Sequence, residues 1–566
     1  MTTRQNRWLL AAAPLTLGAL VLSGCAIGAA PAETGTTAQT VVASGDLDVS
    51  YTAEQVLAEN EDATTTDDGE WDSDAAVTIT LDGDSASADG DGVTIDGSTV
   101  TISATGTYVL SGELKGQVIV AAPDDAVVAL VLDGASIASD TGSAIAVTGA
   151  DDVVVSLADG SENTLSDAGS YADDADANAA LWSSADLTIT GEGALTVSGN
   201  GNDGIASQDD LVILSGTIDV SAVDDAVRGK DSLTIEGGAI TIDAGGDALT
   251  SDDTEDATHG YISITGGDLR LTAGDDALSA ATDVVVTGGA IIADATGKGL
   301  SAGVYLVLEA GTLDVSAGDD ALNSNGAIHV SGDDVTVSSG DDGMHADVAL
   351  LIDGGDITVA DAYEGIESAS IEIAGGTVDV TSSDDGLNAS SGSTAEAADQ
   401  AAQGPGGGGM ESDDGSLLVI SGGDVTVDSQ GDGFDSNGSA SVTGGSLTVW
   451  GPTNDGNGAL DVNGTFDVSG GAILAVGSAG MAVSPSSGSF IAATVSGAEG
   501  DDVEIRDASG TLVATFTAHK SFASIVYSST DLADGATYTV LVNGSAAGTA
   551  TEGAAAAGGM GGPGKR

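Results

Sequence analysis

The chain has 566 residues and a formal net charge of −78, from 89 acidic and 11 basic side chains, with 85 glycines and only 3% aromatics. A polyanion without basic clusters excludes nucleic acid as a partner, and glycine at this density, at about 1 kcal/mol each in a helix interior, argues against a helical bundle. An apolar share of 41%, spread evenly, is not the composition of a disordered chain.

The N-terminus carries Arg4 and Arg7 and then an apolar run from Trp8 to Leu22. That order of charge and apolar stretch is an export signal, and the run is short for a membrane span. It ends in Leu22-Ser23-Gly24-Cys25, which resembles the bacterial lipobox. The resemblance implies that Cys25 becomes the lipidated first residue of the mature chain. Residues 1–25 are then signal and lipobox, and the protein sits on the extracellular face of the cytoplasmic membrane, held there by the lipid anchor alone. Cys25 is the only cysteine, so no disulfide is available. Residues 26–75 are rich in Ala, Thr, Ser, Gly and acids without periodicity, which predicts a flexible tether.

Short alternating runs begin near residue 76, such as Val93-Thr94-Ile95 and Val100-Thr101-Ile102. From about 180 the chain repeats itself. One element is a strand pair around a glycine corner, as in Ile371-Glu372-Ile373-Ala374-Gly375-Gly376-Thr377-Val378-Asp379-Val380. The other is acid-acid-Gly/Ala-apolar, as in Asp224-Asp225-Ala226-Val227 and Asp341-Asp342-Gly343-Met344. The residue before the Gly or Ala serves as a marker. It falls at 203, 225, 247, 276, 298, 320, 342, 364, 385, 432, 458 and 479.

Most gaps between markers are 21 or 22 residues. A unit of that size cannot bury a core alone, but stacked units bury their inward side chains in one column. The fold class predicted is all-β: a parallel β-helix (solenoid) of about twelve 22-residue coils over 76–489. A β-propeller blade is about twice as long, and the Leu/Asn pattern of a leucine-rich repeat is missing. The long gap after Asp385 predicts a mobile insertion at 390–415. Residues 490–548 lose the repeat and read as a small C-terminal β unit capping the open end. Residues 549–566 read as a disordered tail.

Stacking turns the repeat into chemistry. Equivalent residues of successive coils lie about 4.8 Å apart. The marker position therefore builds a carboxylate column of Asp203, Asp225, Asp247, Asp276, Asp320, Asp342, Glu364, Asp385 and Asp432. The preceding residue adds Asp224, Asp275, Asp319, Asp341 and Asp384. Neighbouring charges at that distance repel by about 3–4 kcal/mol at an effective dielectric of 20. Raised pKa values, solvent exposure or bound cations relieve this. Ca2+ suits clustered carboxylates, whereas His and Cys are too scarce for a zinc centre. These fourteen acids are the candidate metal ligands, and the alternative is a solvated acidic face serving solubility.

Few cations punctuate the repeat. Lys298 stands in the marker column itself, and Arg228 and Lys230 follow Asp224-Asp225. They either neutralise neighbouring acids or contact an anionic sugar. Aromatics that could stack on a sugar are scarce: Trp71, Trp182, Trp450, Tyr171, Tyr363 and Phe434 are the candidates. Of these, Tyr363 and Trp450 join Arg228, Lys230 and Lys298 as candidate carbohydrate-binding residues.

Several stretches resemble the bacterial carbohydrate-binding β-solenoid family, clostridial proteins that bind cellulose and pectic polymers. They are Gly106-Thr107-Tyr108-Val109-Leu110-Ser111-Gly112, Leu130-Val131-Leu132-Asp133-Gly134, Asn202-Asp203-Gly204-Ile205-Ala206-Ser207, Arg228-Gly229-Lys230-Asp231 and Tyr363-Glu364-Gly365-Ile366-Glu367. Gly451-Pro452-Thr453 with Asn457-Gly458-Ala459-Leu460-Asp461 also matches. The resemblance spans about 76–548. It implies a right-handed parallel β-helix with bound calcium and polysaccharide binding without catalysis. Ala226, Ala248, Ala277 and Ala321 depart from the family's Gly after the acid, which puts the backbone geometry there in question.

Two other classes stay open. A lyase of the pectate-lyase type would use calcium and an Arg or Lys base, for which Arg228, Lys230, Arg270 and Lys298 are available. The Gly-His-Gly and Arg-Ile-Lys motifs of polygalacturonases are missing; Thr258-His259-Gly260 comes nearest. A cell-envelope adhesion or structural protein would need only the anchor and the stacked coils. The expectation is a non-enzymatic, calcium-loaded binder of plant-type or acidic polysaccharide that acts as a monomer.

Overall fold

The computed structural model describes residues 47–66, 75–172, 175–391 and 413–555. Cys25, Trp71 and most of the expected insertion and tail lie outside them. Among the described residues the one α-helix is Ala53–Leu57, and no helix is long and apolar enough to cross a membrane.

Each coil is a triangle of short strands. In one, Asp203–Ser207 forms the first face, Asp210–Ile213 the second and Thr217–Ala222 the third. The next coil begins with Val227–Gly229, which pairs in parallel with the first strand, Ile205 against Val227. Alternation decides what points inward. In Thr217–Ala222, Ile218 and Val220 are buried while Thr217 and Asp219 are exposed. Because every coil repeats the pattern, like stacks on like. Leu249, Leu278, Leu300, Leu322, Met344, Ile366, Leu387 and Phe434 follow one another up the interior, each fully buried. Each such side chain contributes roughly 1.5–3 kcal/mol on burial.

The corner between the second and third faces needs glycine. Gly376 has φ +77, and a Cβ there would lie 2.6 Å from the carbonyl oxygen of Gly355 one coil back. The corner between the third and first faces carries the marker residues. There the doubt over alanine resolves: Ala226 donates its N–H to the Asp247 carbonyl at 3.0 Å, as Gly204 does to Asp225 at 3.0 Å.

The parallel solenoid has about sixteen turns, not twelve, with sixteen strands in the first-face sheet. The extra strands precede Asp203: Val93–Asp96, Thr99–Ile102, Gln117–Ala121, Ile145–Gly149 and Ala179–Ser183. Their corners lack the acid, as in Ser143-Ala144-Ile145, so the marker passes over them. At the other end Ala479 marks no first-face strand.

Beyond the last coil, Phe522–Ser528 pairs antiparallel with Ala472–Gly477 and with Phe490–Gly497, closing the sheet edge. A four-stranded antiparallel sheet follows, in the order Leu512–Thr517, Asp502–Arg506, Thr537–Val542, Ser545–Thr551. Its last strand runs past the expected boundary at 548.

Part of the expected tether is ordered. Residues 47–66 form a strap across the second face. Leu47, Val49, Tyr51, Ala53, Val56 and Leu57 cover Val285, Tyr305, Val307 and Ala327. Tyr51 stacks on Tyr305 with ring centroids 5.7 Å apart. The Asn60 amide donates to Asp283 at 2.8 Å, the Ala53 N–H to Glu309 at 2.7 Å and the Thr64 N–H to Asp210 at 2.8 Å. The physical reason is apolar surface: Val284-Val285-Val286 and Tyr305-Leu306-Val307-Leu308 are apolar on both faces and need a cover.

Replacing Tyr51 by Ala removes that stack and its buried area. Amide hydrogen exchange in the strap should then accelerate by roughly tenfold, the equivalent of about 1.4 kcal/mol. Exchange in the coils beneath should keep its wild-type rate. Unchanged strap protection would mean that the aromatic contact does not hold it.

Candidate functional site

The marker acids stack at the corner between the third and first faces, and most of them spend one carboxylate oxygen on the coil that follows. Asp225 Oδ1 accepts the Asp247 N–H at 2.9 Å, and Asp247 Oδ1 accepts the Asp276 N–H at 2.8 Å. Asp276 Oδ1 accepts the Lys298 N–H at 2.6 Å, and Asp320 Oδ1 that of Asp342 at 3.2 Å. Asp385 and Asp432 continue the pattern toward Asp432 and Gly458. The column is therefore structural on one side: it fixes coil register through carboxylate–amide bonds.

The other oxygen faces the first face. There the residue three after most markers is polar, and Thr250, Asn323 and Asn388, themselves buried, reach back to a marker acid. Asn323 donates to Asp320 Oδ2 at 3.0 Å, Asn388 to Glu364 Oε2 at 2.9 Å, and Thr250 lies 3.5 Å from Asp247 Oδ2. Strand register places these polar residues in one row: Arg228, Thr250, Ser279, Ser301, Asn323, His345, Glu367 and Asn388. No single residue type marks this row in the sequence. Its signal was present at marker plus three, hidden because the residue types vary while the position does not.

Burial shapes the electrostatics. Asp203 and Asp342 are buried, and Asp225, Asp247, Asp276, Glu364 and Asp385 half-buried. Burial is the largest cause that raises their pKa values, and neighbouring acids push the same way. Asp225, Asp247 and Asp276 rise to about 6, Asp203, Asp342 and Asp385 to about 7, and Glu364 to about 8.

Carboxylates converge in groups. Asp247, Asp275 and Asp276 bring oxygens within 4.8 Å of one another, as do Asp319, Asp320 and Asp341. Asp203 feels Asp224 and Asp225, and Asp385 feels Asp384 and Asp432. These all-oxygen groups have the donor chemistry of a hard divalent cation such as calcium. The middle of the column is different. The Lys298 ammonium pairs with Asp320 and, at 3.3 Å, with Asp319, and His345 sits against Asp342.

The other candidate residues divide. Arg228 pairs with Asp252 at 2.8 Å and Lys230 with Asp253 at 2.8 Å, which is neutralisation within the chain. Tyr363 takes the place of the second acid in its coil and leaves its ring 48% exposed on the column. Its hydroxyl bonds to Asp384, which holds the phenol up at about 12. Trp450 is not available to a sugar. It is buried under the C-terminal sheet, stacked on His519 with centroids 4.2 Å apart and beside Phe516. Phe434 is likewise in the core, stacked on Phe466. Trp182 is buried in a small cluster with Ala179 and Ala206.

Raised carboxylate pKa values carry a sign. The folded state binds protons that the unfolded chain releases near pH 4, so stability is fullest below that pH. It falls as pH rises from about 4 through the folded values of about 6 to 8. In chelator, the thermal midpoint should fall steadily between pH 5 and pH 8 (a range on the order of the shifts themselves). Calcium should restore it at the upper end. A midpoint that rises over that range in chelator would contradict the buried column.

Residues 96–343 match the family model of carbohydrate-binding domain-containing proteins. A carbohydrate-binding domain-containing protein of Acetivibrio thermocellus is 35% identical over 126 residues, 21% of this chain and 44% of that protein. This chain thus spans less than half the length of that relative. A solved structure of a polysaccharide lyase-like protein from C. thermocellum, a gadolinium derivative, is 31% identical. That alignment covers 49% of this chain and 97% of the other, with a TM-score of 0.37.

Proposed function

We propose, from the place of residues 96–343 in the carbohydrate-binding domain family, that this protein is a surface-tethered, calcium-dependent polysaccharide binder acting without catalysis. The observation that carries the reading is the first-face row beside the carboxylate column. One hydrogen-bonding side chain per coil, repeated at about 4.8 Å, suits an extended polymer that presents hydroxyls at intervals of the same order. Scarce exposed aromatics favour polar, edge-on contacts over a flat stacking platform. Tyr363 is the one exposed ring on the column and serves as a local stacking point.

An acidic polymer of the polygalacturonate type meets a like-charged surface. Calcium would be held by Asp224, Asp225, Asp247, Asp275 and Asp276 on one stretch and by Glu364, Asp384, Asp385 and Asp432 on another. Bound there, it supplies positive charge that bridges protein and uronate carboxylates. An uncharged chain of the cellulose type would use the row alone.

The state of the two lysines supports the non-catalytic reading. A lyase base must take a proton, so an amine has to be available neutral. Burial lowers the Lys298 pKa, but Asp320 and Asp319 outweigh it and raise the group overall. Lys230 is raised by its bond to Asp253. Both remain protonated donors. Lipidation at Cys25 would hold the protein outside the cytoplasmic membrane.

The mature protein should bind polygalacturonate in calcium and lose at least tenfold in affinity in chelator, about 1.4 kcal/mol. Replacing Tyr363 by Ala should weaken binding about threefold to tenfold. The absorbance of unsaturated uronate products should stay at the blank level throughout. Undiminished binding after calcium is stripped would sink the bridging role. A product signal abolished by replacing Arg228 or Lys298 would make the protein a lyase.

A further inference from the structure

His345 stands apart in the first-face row. It lies on the strand Asp342–Ala346, in register with Asn323 one coil back and Glu367 one coil on. Its Nδ1 is 2.9 Å from Asp342 Oδ2 and 3.1 Å from Glu367 Oε2. Its Nε2 is 3.2 Å from Asp347 Oδ1. The Asp342 side chain is 8% exposed, His345 24% and Glu367 20%, whereas Asp347, at 58%, reaches in from the surface.

Two carboxylate oxygens from adjacent coils therefore converge on one imidazole nitrogen. Once Nδ1 gives up its proton, with the remaining ring N–H on Nε2 donated to Asp347, its lone pair faces both oxygens. These three ligand atoms lie within 4.8 Å of one another, and electron-rich atoms so placed require a positive centre between them. A proton on Nδ1 bonds well to one oxygen at a time. A divalent metal bonds all three atoms at once.

The rest of the row sharpens the contrast. Asn323 and Asn388 each give an amide proton to a single marker acid. At 345 the row supplies an imidazole nitrogen, and Glu367 of the next coil lies 3.1 Å from it. Imidazole with carboxylates suits borderline metals such as Zn2+ better than the hard Ca2+. A carboxylate on the far ring nitrogen is the usual device that fixes the tautomer of a ligating histidine.

We propose that Asp342, His345 and Glu367 form a binding site for a borderline divalent transition metal, with Asp347 orienting the imidazole. The site is distinct from the all-oxygen groups and independent of the carbohydrate reading. It also revises the view that histidine is too scarce here for such a metal, because one histidine suffices where the fold brings two carboxylates to it.

The test uses the mature protein, stripped of metal and held in saturating calcium. Titration with Zn2+ should reveal a tight site that weakens at least tenfold in His345→Asn. That variant places at 345 the residue already accommodated at 323 and 388. Glu367→Gln keeps the side-chain length and should weaken zinc several-fold, which provides a second variant if the first folds poorly. Co2+ should give a visible absorption band in the wild type that His345→Asn abolishes. The same zinc isotherm in wild type and both variants would overturn the site. So would an imidazole NMR signal of His345 that stays that of a protonated ring in excess zinc.

Discussion

From Asp225 to Asp432 most corner acids accept the backbone amide of the same corner one coil on, and the acidic half of the solenoid depends on that bond. It fixes register, so that apolar side chains stack on apolar side chains inside. It also fixes what stands outside: a carboxylate column and, three residues on, a row of polar side chains. The same bond sets the electrostatic problem, because it draws acids into partly buried positions one coil apart. A fold held by such a column needs positive charge or protons along it.

The chain supplies some of that charge itself. Lys298 interrupts the column and turns its ammonium to Asp319 and Asp320. At Asp342 and Glu367 the neighbour is the His345 imidazole, which holds its place with a proton or with the proposed metal. Arg228 and Lys230 hold the acids of the longer coil, Asp252 and Asp253. Net charge is thus a poor guide to where cations are needed. The stretches around Asp247 and Asp385, without such internal partners among the basic side chains, carry the calcium reading.

Much of this was legible in the sequence, and what was not has a physical reason. A 22-residue period in acid-Gly/Ala-apolar announced the coils from Asp203 onward, because a stacked fold must repeat its corners. The earlier coils, such as the one containing Ser143-Ala144-Ile145, close without an acid and so escaped the marker. The strap at 47–66 resembles a linker in composition, and its docking is visible only in the doubly apolar strands it covers, such as Val284–Val286. Trp450, a candidate sugar contact in the sequence, is covered by the C-terminal sheet, a long-range contact that the sequence does not show. The pairing of His345 with Glu367 is not legible in the sequence, because only the stacking of coils brings the two together.

The column thus joins the fold to the proposed cation and ligand. Its central claim is that partly buried acids of neighbouring coils bind calcium where the chain provides no cation of its own. Calorimetric titration of calcium into the chelated mature protein, compared with the Asp275→Asn, Asp276→Asn double variant, tests it most directly. The account predicts saturable binding by the wild type and the loss of one class of sites in the variant, with the fold retained. Absence of saturable calcium binding by the wild type would contradict it, as would an isotherm that the two substitutions leave unchanged.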